Sequence, residues 1–185
     1  MSSQSNRKVP FSAHFIVNSG SLACILNDFA TTAICAITHM QNVNELDAVS
    51  GEYALTDEWA LTLPEPFESR MEDGDLVLWR PGMTIWCFIW GIDAIESRED
   101  ALEWVREDQA SEAFDTFESD ENGVLRYRYR LFEETNDFKV ASMYGFAFSH
   151  TSYIQLGIYL DDEADYAEAV ALFDSLAYTN RATFH

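Results

Sequence analysis

Short runs of hydrophobic residues separated by polar ones predict β-strands in the first half of the chain. Runs at 53–55 and 59–64 flank the polar residues 56–58 and predict two short strands. Pro64 and Pro66 are expected to end regular pairing of the second strand, because proline has no N–H to donate to a ladder.

The segment LVLWRPGMTIWCFIWG, residues 76–91, predicts a hairpin that leads into a central strand. Pro81 presets φ at the second turn position and Gly82 accepts positive φ at the third, as a type II turn requires. In the returning strand, 84–90, the two faces are Trp86, Phe88 and Trp90 on one side and Ile85, Cys87 and Ile89 on the other. Because both faces are apolar, we expect Trp86 and Trp90 in the core, and Trp79, beside the turn, partly exposed.

Capping and turn signals organise the second half of the chain. Ser97 is placed to cap a helix with acidic residues in its first turn. Its buried stripe is expected to comprise Ala101, Leu102, Trp104 and Val105. Asn122-Gly123, within 114–134, is typical of a type I′ hairpin, and strands are predicted at 139–150 and 153–160.

A final helix over 163–177, capped by Asp161 or Asp162, completes the pattern. Its inward residues are expected to be Ala167, Val170, Phe173 or Ala171, and Leu176 or Ala177. The order ββββ-α-ββββ-α predicts an α+β sandwich, in which flanking helices cover an antiparallel sheet. Either one helix covers each face, or both cover one face and the N-terminal segment covers the other.

The predicted organisation is an N-terminal segment, 1–50, a single α+β domain, 51–178, and a C-terminal tail, 179–185. The composition changes near residue 40. The first 40 residues carry two basic residues and one acidic residue, whereas the remainder of the chain carries nine basic and 31 acidic residues. No apolar run in the chain reaches the roughly 18 residues of a spanning helix, so we expect no membrane span.

Two interpretations of the N-terminal segment remain open. Residues 22–37 form a short apolar helix that packs on the domain, or Met40 is the natural start and 1–39 is an extension. Three scattered cysteines without paired spacing favour a reducing compartment, so a cytoplasmic location is expected. A secreted or periplasmic location follows instead if residues 1–39 are a targeting segment.

The net charge of −21 shapes the expected partners. It repels phosphates, so nucleic-acid binding is not expected. It fits a solvated acidic surface, a binder of basic proteins, or a mimic of nucleic acid. No metal motif, nucleophile with a base, or phosphate-binding glycine loop is recognisable, so we expect no metal, no cofactor and no catalytic residues.

Two sets of charged residues and one tryptophan are candidates for partner binding. The first set lines one face of the predicted helix at spacings of three and four residues: Glu96, Glu99, Glu103 and Glu107. The second shares one face of a strand: Arg126, Arg128 and Arg130. These arginines either pair with carboxylates of neighbouring elements or form a cationic groove for an acidic ligand. Trp79 is the third candidate.

The segments TDEWALTLPEPF, DGDLVLWRPGMTIW, RYRYRL and YGFAFSHTSYIQLGIYLDDEAD, with the final helix, resemble small bacterial proteins similar to the PsbP-like α/β/α sandwich domains. The resemblance covers residues 52–177. It implies a scaffold used mostly to bind other proteins, and fold analogy alone assigns no partner.

Three functions follow as expectations. The first is a non-enzymatic acidic domain that binds a protein with a basic surface, as an adaptor, an effector chaperone or an immunity-type protein. The second is an enzyme or small-ligand-binding protein with a pocket near Trp79, Arg128 and His150. The third is a nucleic-acid mimic, which requires carboxylates spaced like phosphates.

Overall fold

The computed structural model describes residues 47–92, 97–134 and 139–179. The expectations for a helix at 22–37 and for a start at Met40 therefore lie outside the described residues. Over the described ranges the chain forms a nine-stranded antiparallel sheet and two helices, which confirms the predicted order ββββ-α-ββββ-α, followed by one further short strand.

The strands are β1 (Asp47–Ala54), β2 (Trp59–Glu72), β3 (Asp75–Arg80), β4 (Met83–Gly91), β5 (Phe114–Glu121), β6 (Val124–Glu134), β7 (Lys139–Phe148), β8 (Ser152–Leu160) and β9 (Ala177–Tyr178). The helices are α1 (Arg98–Asp108) and α2 (Tyr166–Asp174), and a 3₁₀ turn at Glu163–Asp165 precedes α2. The order across the sheet is β1-β2-β3-β4-β8-β7-β6-β5, and β9 pairs with β2. The chain therefore crosses from β4 to the far edge through α1 and returns to β4 by successive antiparallel strands.

Strand β2 continues through both of its prolines to Glu72, so its predicted end at residue 64 is wrong, but its regular pairing is interrupted at the prolines, as expected. The register with β1 shifts between Val49 and Gly51, directly opposite residues 64–66. On the other side of β2, pairing with β3 begins only at Glu68. Neither proline thus has to donate to a regular ladder, and this is the position in a sheet where proline is tolerated.

The two predicted turns are present. Gly82 has a φ of +89°, as the third position of a type II turn requires. Asn122 and Gly123 have φ values of 54° and 78° between the paired residues Glu121 and Val124. Positive φ at both central positions defines the type I′ turn and matches the twist of the flanking strands.

Each helix covers a different face of the sheet. Helix α2 packs with the side chains of one face, which we call the α2 face and which includes Ile85, Cys87, Met143, Ile154 and Leu156. Helix α1 packs with the side chains of the opposite face, the α1 face, which includes Leu125, Tyr127, Tyr129, Tyr144, Phe146 and Phe148. Alternation along β7 separates the two sets, because successive strand residues point to opposite faces. The arrangement with one helix on each face is thus the correct one of the two expected.

The helix starts follow the predicted caps, but the buried stripes differ in part. Ser97 and Asp100 form a capping box at α1, and Asp162 accepts from the backbone N–H of Ala164 at 2.8 Å before α2. In α1, Ala101 and Leu102 are buried, but Trp104 is 41% exposed, so its predicted burial is wrong. In α2 the fully buried residues are Ala169, Leu172 and Phe173, with Leu176 just beyond, whereas Ala167, Ala171 and Ala177 are exposed.

Candidate protein-interaction surface

The acidic residues predicted on the first helix lie on its outer side. Glu99, Glu103 and Glu107 are exposed, and Glu96 lies outside the described residues. Hydrogen bonds from its own backbone N–H and then from Arg98 hold the pKa of Glu99 below its usual value. The helix N-terminus favours this negative charge as well. At neutral pH, Glu99 therefore presents an ionised carboxylate to solvent.

Two arginines of α1 attach the helix to the edge strand β5. Arg98 donates from both terminal nitrogens to the two carboxylate oxygens of Asp120, at 2.7 and 3.1 Å. Arg106 pairs with Glu118, and this hydrogen bond raises the pKa of the guanidinium. Between residues 98 and 121 the sequence holds ten acidic residues and only these two basic ones. Both cations are thus engaged within the surface, and its outward charge stays strongly negative.

Trp104 lies on the side of α1 that is turned away from β5. Successive helix residues differ in direction by about 100°, so Trp104 and Arg106 point about 160° apart. Because Arg106 reaches β5 while α1 packs over β6 and β7, Trp104 projects toward the β8 and β4 side of the helix. A large aromatic side chain thus stands beside the acidic face of α1.

Next to the strands that α1 covers, β4 and β8 carry a line of stacked rings that we call the aromatic row: Trp86, Phe88, Trp90 and Tyr153. Ring centroids along β4 are 6.3 and 5.8 Å apart, and the planes are 13° and 11° from parallel. All four side chains are half-buried, so the expectation of Trp86 and Trp90 in the core is wrong. Trp79 points to the same face and is half-buried, as predicted.

The three arginines of β6 lie on the α2 face, opposite the acidic surface of α1. Arg130 pairs with Glu163 and stacks over Tyr166 at 4.1 Å. Arg126 donates to the carbonyl of Leu176 at 2.8 Å, and Arg128 stacks over Phe117 at 4.1 Å. The expected pairing with carboxylates therefore holds for Arg130, whereas the other two cations use a carbonyl and an aromatic ring. All three tie the β5–β6 hairpin and the α2 region together.

The residues of the predicted ligand pocket do not converge. Trp79 lies on the α1 face and Arg128 on the α2 face, while His150 is exposed in the turn between β7 and β8. An opening of about 460 Å³ lies elsewhere, at the end of β4, and is lined by Thr56, Asp57, Glu58, Ile89, Trp90, Gly91 and Ser152. Ile89, Gly91 and Ser152 belong to the α2 face, so the opening lies at the end of that face. There Glu58 accepts hydrogen bonds from the hydroxyls of Thr151 at 3.0 Å and Ser152 at 3.2 Å.

The described residues offer little for covalent or metal chemistry. No group of three or more histidine, cysteine or acidic side chains in them could hold a metal ion. Burial raises the pKa of the Cys87 thiol to about 12, which leaves it protonated and unreactive at neutral pH. No helix in this part of the chain is long and apolar enough to cross a bilayer.

A buried network of phenols joins the α1 face to the carboxylate of Glu133. Tyr144 donates to Glu133 at 2.7 Å, and its hydroxyl lies 3.0 Å from that of Tyr159. The Tyr129 ring stacks on Tyr144 at 5.4 Å. Burial is the main cause that raises the pKa of Tyr129, Tyr144 and Tyr159, since it penalises the phenolate.

These phenols predict a loss of stability in alkali. A folded-state pKa above the unfolded value means that the folded chain holds the proton more tightly than the unfolded chain does. The stabilising contribution of each protonated phenol is therefore fully present below the unfolded pKa, about 10. Above it, the free energy of unfolding should fall by about 1.4 kcal/mol per pH unit for each phenol. Urea titrations between pH 8 and 11 measure the decline. Tyr129→Phe should make it shallower, and a decline of unchanged slope in that variant would contradict the prediction.

Comparison with solved structures identifies the fold. The solution structure of cyanobacterial PsbP (CyanoP) from Synechocystis sp. PCC 6803 matches with a TM-score of 0.51 and 12% sequence identity, over 76% of this chain and 99% of that chain. No protein-family model and no curated protein sequence matches the chain. At 12% sequence identity, this similarity shows only that the two proteins share an architecture. The expected resemblance is thereby confirmed: the chain has the PsbP-like fold.

Proposed function

We propose that the protein is a non-enzymatic binding domain that docks a partner protein with a basic surface on helix α1 and strand β5. The observation that carries this proposal is the pairing of an exposed Trp104, at 41%, with exposed Glu99, Glu103 and Glu107 on the same helix. Adaptors, effector chaperones and immunity-type proteins are the expected classes.

The charge of this surface favours encounter with a basic partner. An extended negative patch raises the association rate of an oppositely charged protein, and the effect weakens as salt shortens the Debye length to about 8 Å at physiological ionic strength. Arg98 and Arg106 also hold α1 against β5 through Asp120 and Glu118. The partner would therefore meet a helix that is already positioned.

Trp104 supplies the apolar contact that charge alone does not provide. Residues that dominate binding energy are enriched in tryptophan and lie near the centre of an interface, within a polar rim. On α1, Glu103 and Glu107 are its helical neighbours on the outer side, and both are exposed. An aromatic centre bordered by carboxylates fits a basic protein with an apolar recess.

A photo-crosslinking experiment in the native host tests the proposal. A photoreactive amino acid replaces Glu103 on α1, and in a control chain it replaces the exposed Glu65 on β2. We expect a crosslinked basic protein from position 103 and not from position 65. No crosslinked protein from position 103, or the same species from both positions, would contradict the proposal.

Charge variants of the full chain provide a second test of the proposed function. Glu99→Gln, Glu103→Gln and Glu107→Gln together should weaken binding of the crosslinked protein about tenfold or more, since each close charge pair contributes. The matched control changes three exposed acids elsewhere by the same total charge: Glu52→Gln, Glu65→Gln and Asp174→Asn. Equal weakening by both triple variants would show that net charge, and not the α1 surface, governs binding.

A further inference from the structure

We propose that the partner adds an extended basic segment to the open edge of strand β5, as one more antiparallel strand of the sheet. This inference rests on the proposed function and specifies the shape and the sequence pattern of the partner. In the described part of the chain, β5 ends the sheet and pairs with β6 alone. Strand addition to such an edge is a recurrent mode of peptide recognition, in which main-chain hydrogen bonds supply the affinity.

The register of the β5–β6 hairpin shows which backbone groups face the open edge. In a two-residue hairpin the residues that flank the turn form a hydrogen-bonded pair, here Glu121 and Val124. Hydrogen-bonded and non-hydrogen-bonded pairs alternate along an antiparallel ladder, so Glu118 and Asp120 belong to the non-hydrogen-bonded pairs. Their N–H and C=O groups therefore point away from β6, and they offer two donors and two acceptors to an added strand.

The regular part of this edge is short. The register with β6 shifts between Phe114 and Phe117, and Asp115 has a φ of 52°, which marks a bulge at the start of the strand. From Phe117 to Glu121 the pairing is continuous. This length of edge receives a partner segment of about five residues, since each strand residue advances about 3.4 Å.

Charge selects a basic segment over a second copy of this chain. Strand β5 carries four acidic residues and no basic one, so two copies paired through it would bring like charges together. Glu118 and Asp120 point to the α1 face, where each pairs with an arginine of α1. Helix α1 has five acidic residues and only these two arginines, so this side keeps an excess of negative charge. Lysine or arginine on the α1 face of the added strand would meet that charge.

The opposite side of the added strand would lie beside Phe117. This side chain pairs with Arg128 on the α2 face and stays 42% exposed, although the guanidinium of Arg128 stacks over its ring at 4.1 Å. An aromatic ring forms stabilising cross-strand contacts with β-branched or aromatic residues. The partner segment is therefore expected to alternate basic residues on the α1 face with β-branched or aromatic residues on the α2 face.

Isothermal titration of the full chain with N-methylated peptides tests this inference. The probe alternates lysine and threonine over about nine residues, enough to span the regular edge. Residues that exchange hydrogen bonds with Glu118 and Asp120 lie directly opposite them and share their face, so these residues are the lysines. N-methylation of the lysine amides should weaken binding about tenfold or more, because it removes donors to β5. N-methylation of the threonine amides should retain most of the affinity, since those amides face solvent. Equal effects of the two modifications, or no binding of the unmodified peptide, would overturn the inference.

A proline on β5 tests the same edge from the side of the protein. Glu118→Pro removes an N–H that faces the open edge and takes no part in the ladder with β6, a position at which proline is tolerated. Glu118→Gln loses the same charge and keeps the N–H, so it is the matched reference. The proline variant should bind the unmodified peptide about tenfold more weakly than the glutamine variant. Equal affinities would contradict the inference. If a thermal melt shows that the proline variant is unfolded, the N-methylated peptides decide, because they leave the chain unchanged.

The inference and the proposed function fail separately. Crosslinking from position 103 and the triple glutamine variant test the α1 surface, whereas the N-methylated peptides test the backbone of β5. If the crosslink forms but the two N-methylated peptides bind alike, the partner does not use the edge, and only this inference falls. If the peptides differ as expected but no crosslink forms, the proposed function falls. A dimer of the free chain that the peptide dissociates would assign the edge to a second copy and overturn the inference.

Discussion

Replacing Gly145 by alanine is expected to lower the free energy of unfolding by about 1–3 kcal/mol, although alanine is the smallest possible change. Gly145 lies on the α2 face of β7, where a Cβ atom would stand 2.5 Å from Cδ2, 2.7 Å from Cε2 and 3.0 Å from Cγ of Phe173. Contacts of this length do not occur between unbonded carbon atoms. Either the Phe173 ring or the whole of α2 must move.

The surrounding packing leaves little room for such a movement. Phe173 is completely buried, and the clash includes Cγ, the ring atom nearest the backbone, so rotation of the ring cannot remove it. Close-packed interiors respond to an added methyl by shifting backbone and distorting rotamers. The absent side chain at position 145 is thus what lets α2 approach the sheet.

Gly157 offers a matched control on the neighbouring strand. A Cβ there would meet Tyr144, Tyr159 and Trp86 at 3.6–4.0 Å, which is ordinary van der Waals contact. Gly157→Ala should therefore be neutral or slightly stabilising, since alanine restricts the unfolded chain more than glycine. Urea denaturation of both variants, and of Gly145→Ala in the Phe173→Ala background, checks the mechanism. If Gly145→Ala costs as much stability without the Phe173 ring as with it, the clash with Phe173 is not the cause of the loss.

The features that the sequence predicted correctly are those that local chemistry decides. Gly82 and the pair Asn122-Gly123 have positive φ, a conformation that few residue types adopt readily. Ser97 begins α1 because its side chain and that of Asp100 satisfy backbone donors within one turn. None of these depends on distant parts of the fold, so reading a few consecutive residues was enough.

The end of strand β2 is marked by a sequence signal that the prediction did not use. Asp73 and Gly74 have φ values of 52° and 101° between the paired residues Glu72 and Asp75, so Asp-Gly forms a two-residue hairpin turn. Such a pair predicts that the preceding strand continues up to the turn. The prolines at 64 and 66 pointed the other way, and only the shifted register with β1 explains why they are tolerated.

The candidate surface was harder to predict because its form depends on where α1 lies on the sheet. Periodicity shows which side of a helix is apolar, but not how far the sheet extends beneath it. Trp104 therefore belonged to the predicted stripe and yet lies at its exposed border. Likewise, the two apolar faces of β4 correctly predicted a strand in the interior of the sheet. They did not show that the face carrying Trp86 and Trp90 is only half-buried.

Replacing Trp59 by alanine should destabilise the domain by about 3–5 kcal/mol, the largest single effect we expect. Its side chain is 1% exposed and packs in the core of the α2 face. The indole Nε1 donates to Oγ of Ser152 at 2.8 Å, and the ring lies 5.0 Å from that of Tyr178. Trp59 thus connects β2 with the start of β8 and with β9, so its loss leaves a cavity at the junction of three strands.

A double-mutant cycle separates the apolar contribution of Trp59 from its hydrogen bond. Trp59→Phe retains a ring, and Ser152 keeps a partner because its hydroxyl also donates to Glu58 at 3.2 Å. Ser152→Ala, in contrast, leaves a buried indole N–H without its acceptor, at a cost of about 1–3 kcal/mol. Ser152→Ala should therefore cost less in the Trp59→Phe background than in the parent chain, as measured by urea denaturation. Additive losses would mean that the hydrogen bond contributes no coupling, and the effect of Trp59→Ala would then be attributable to packing alone.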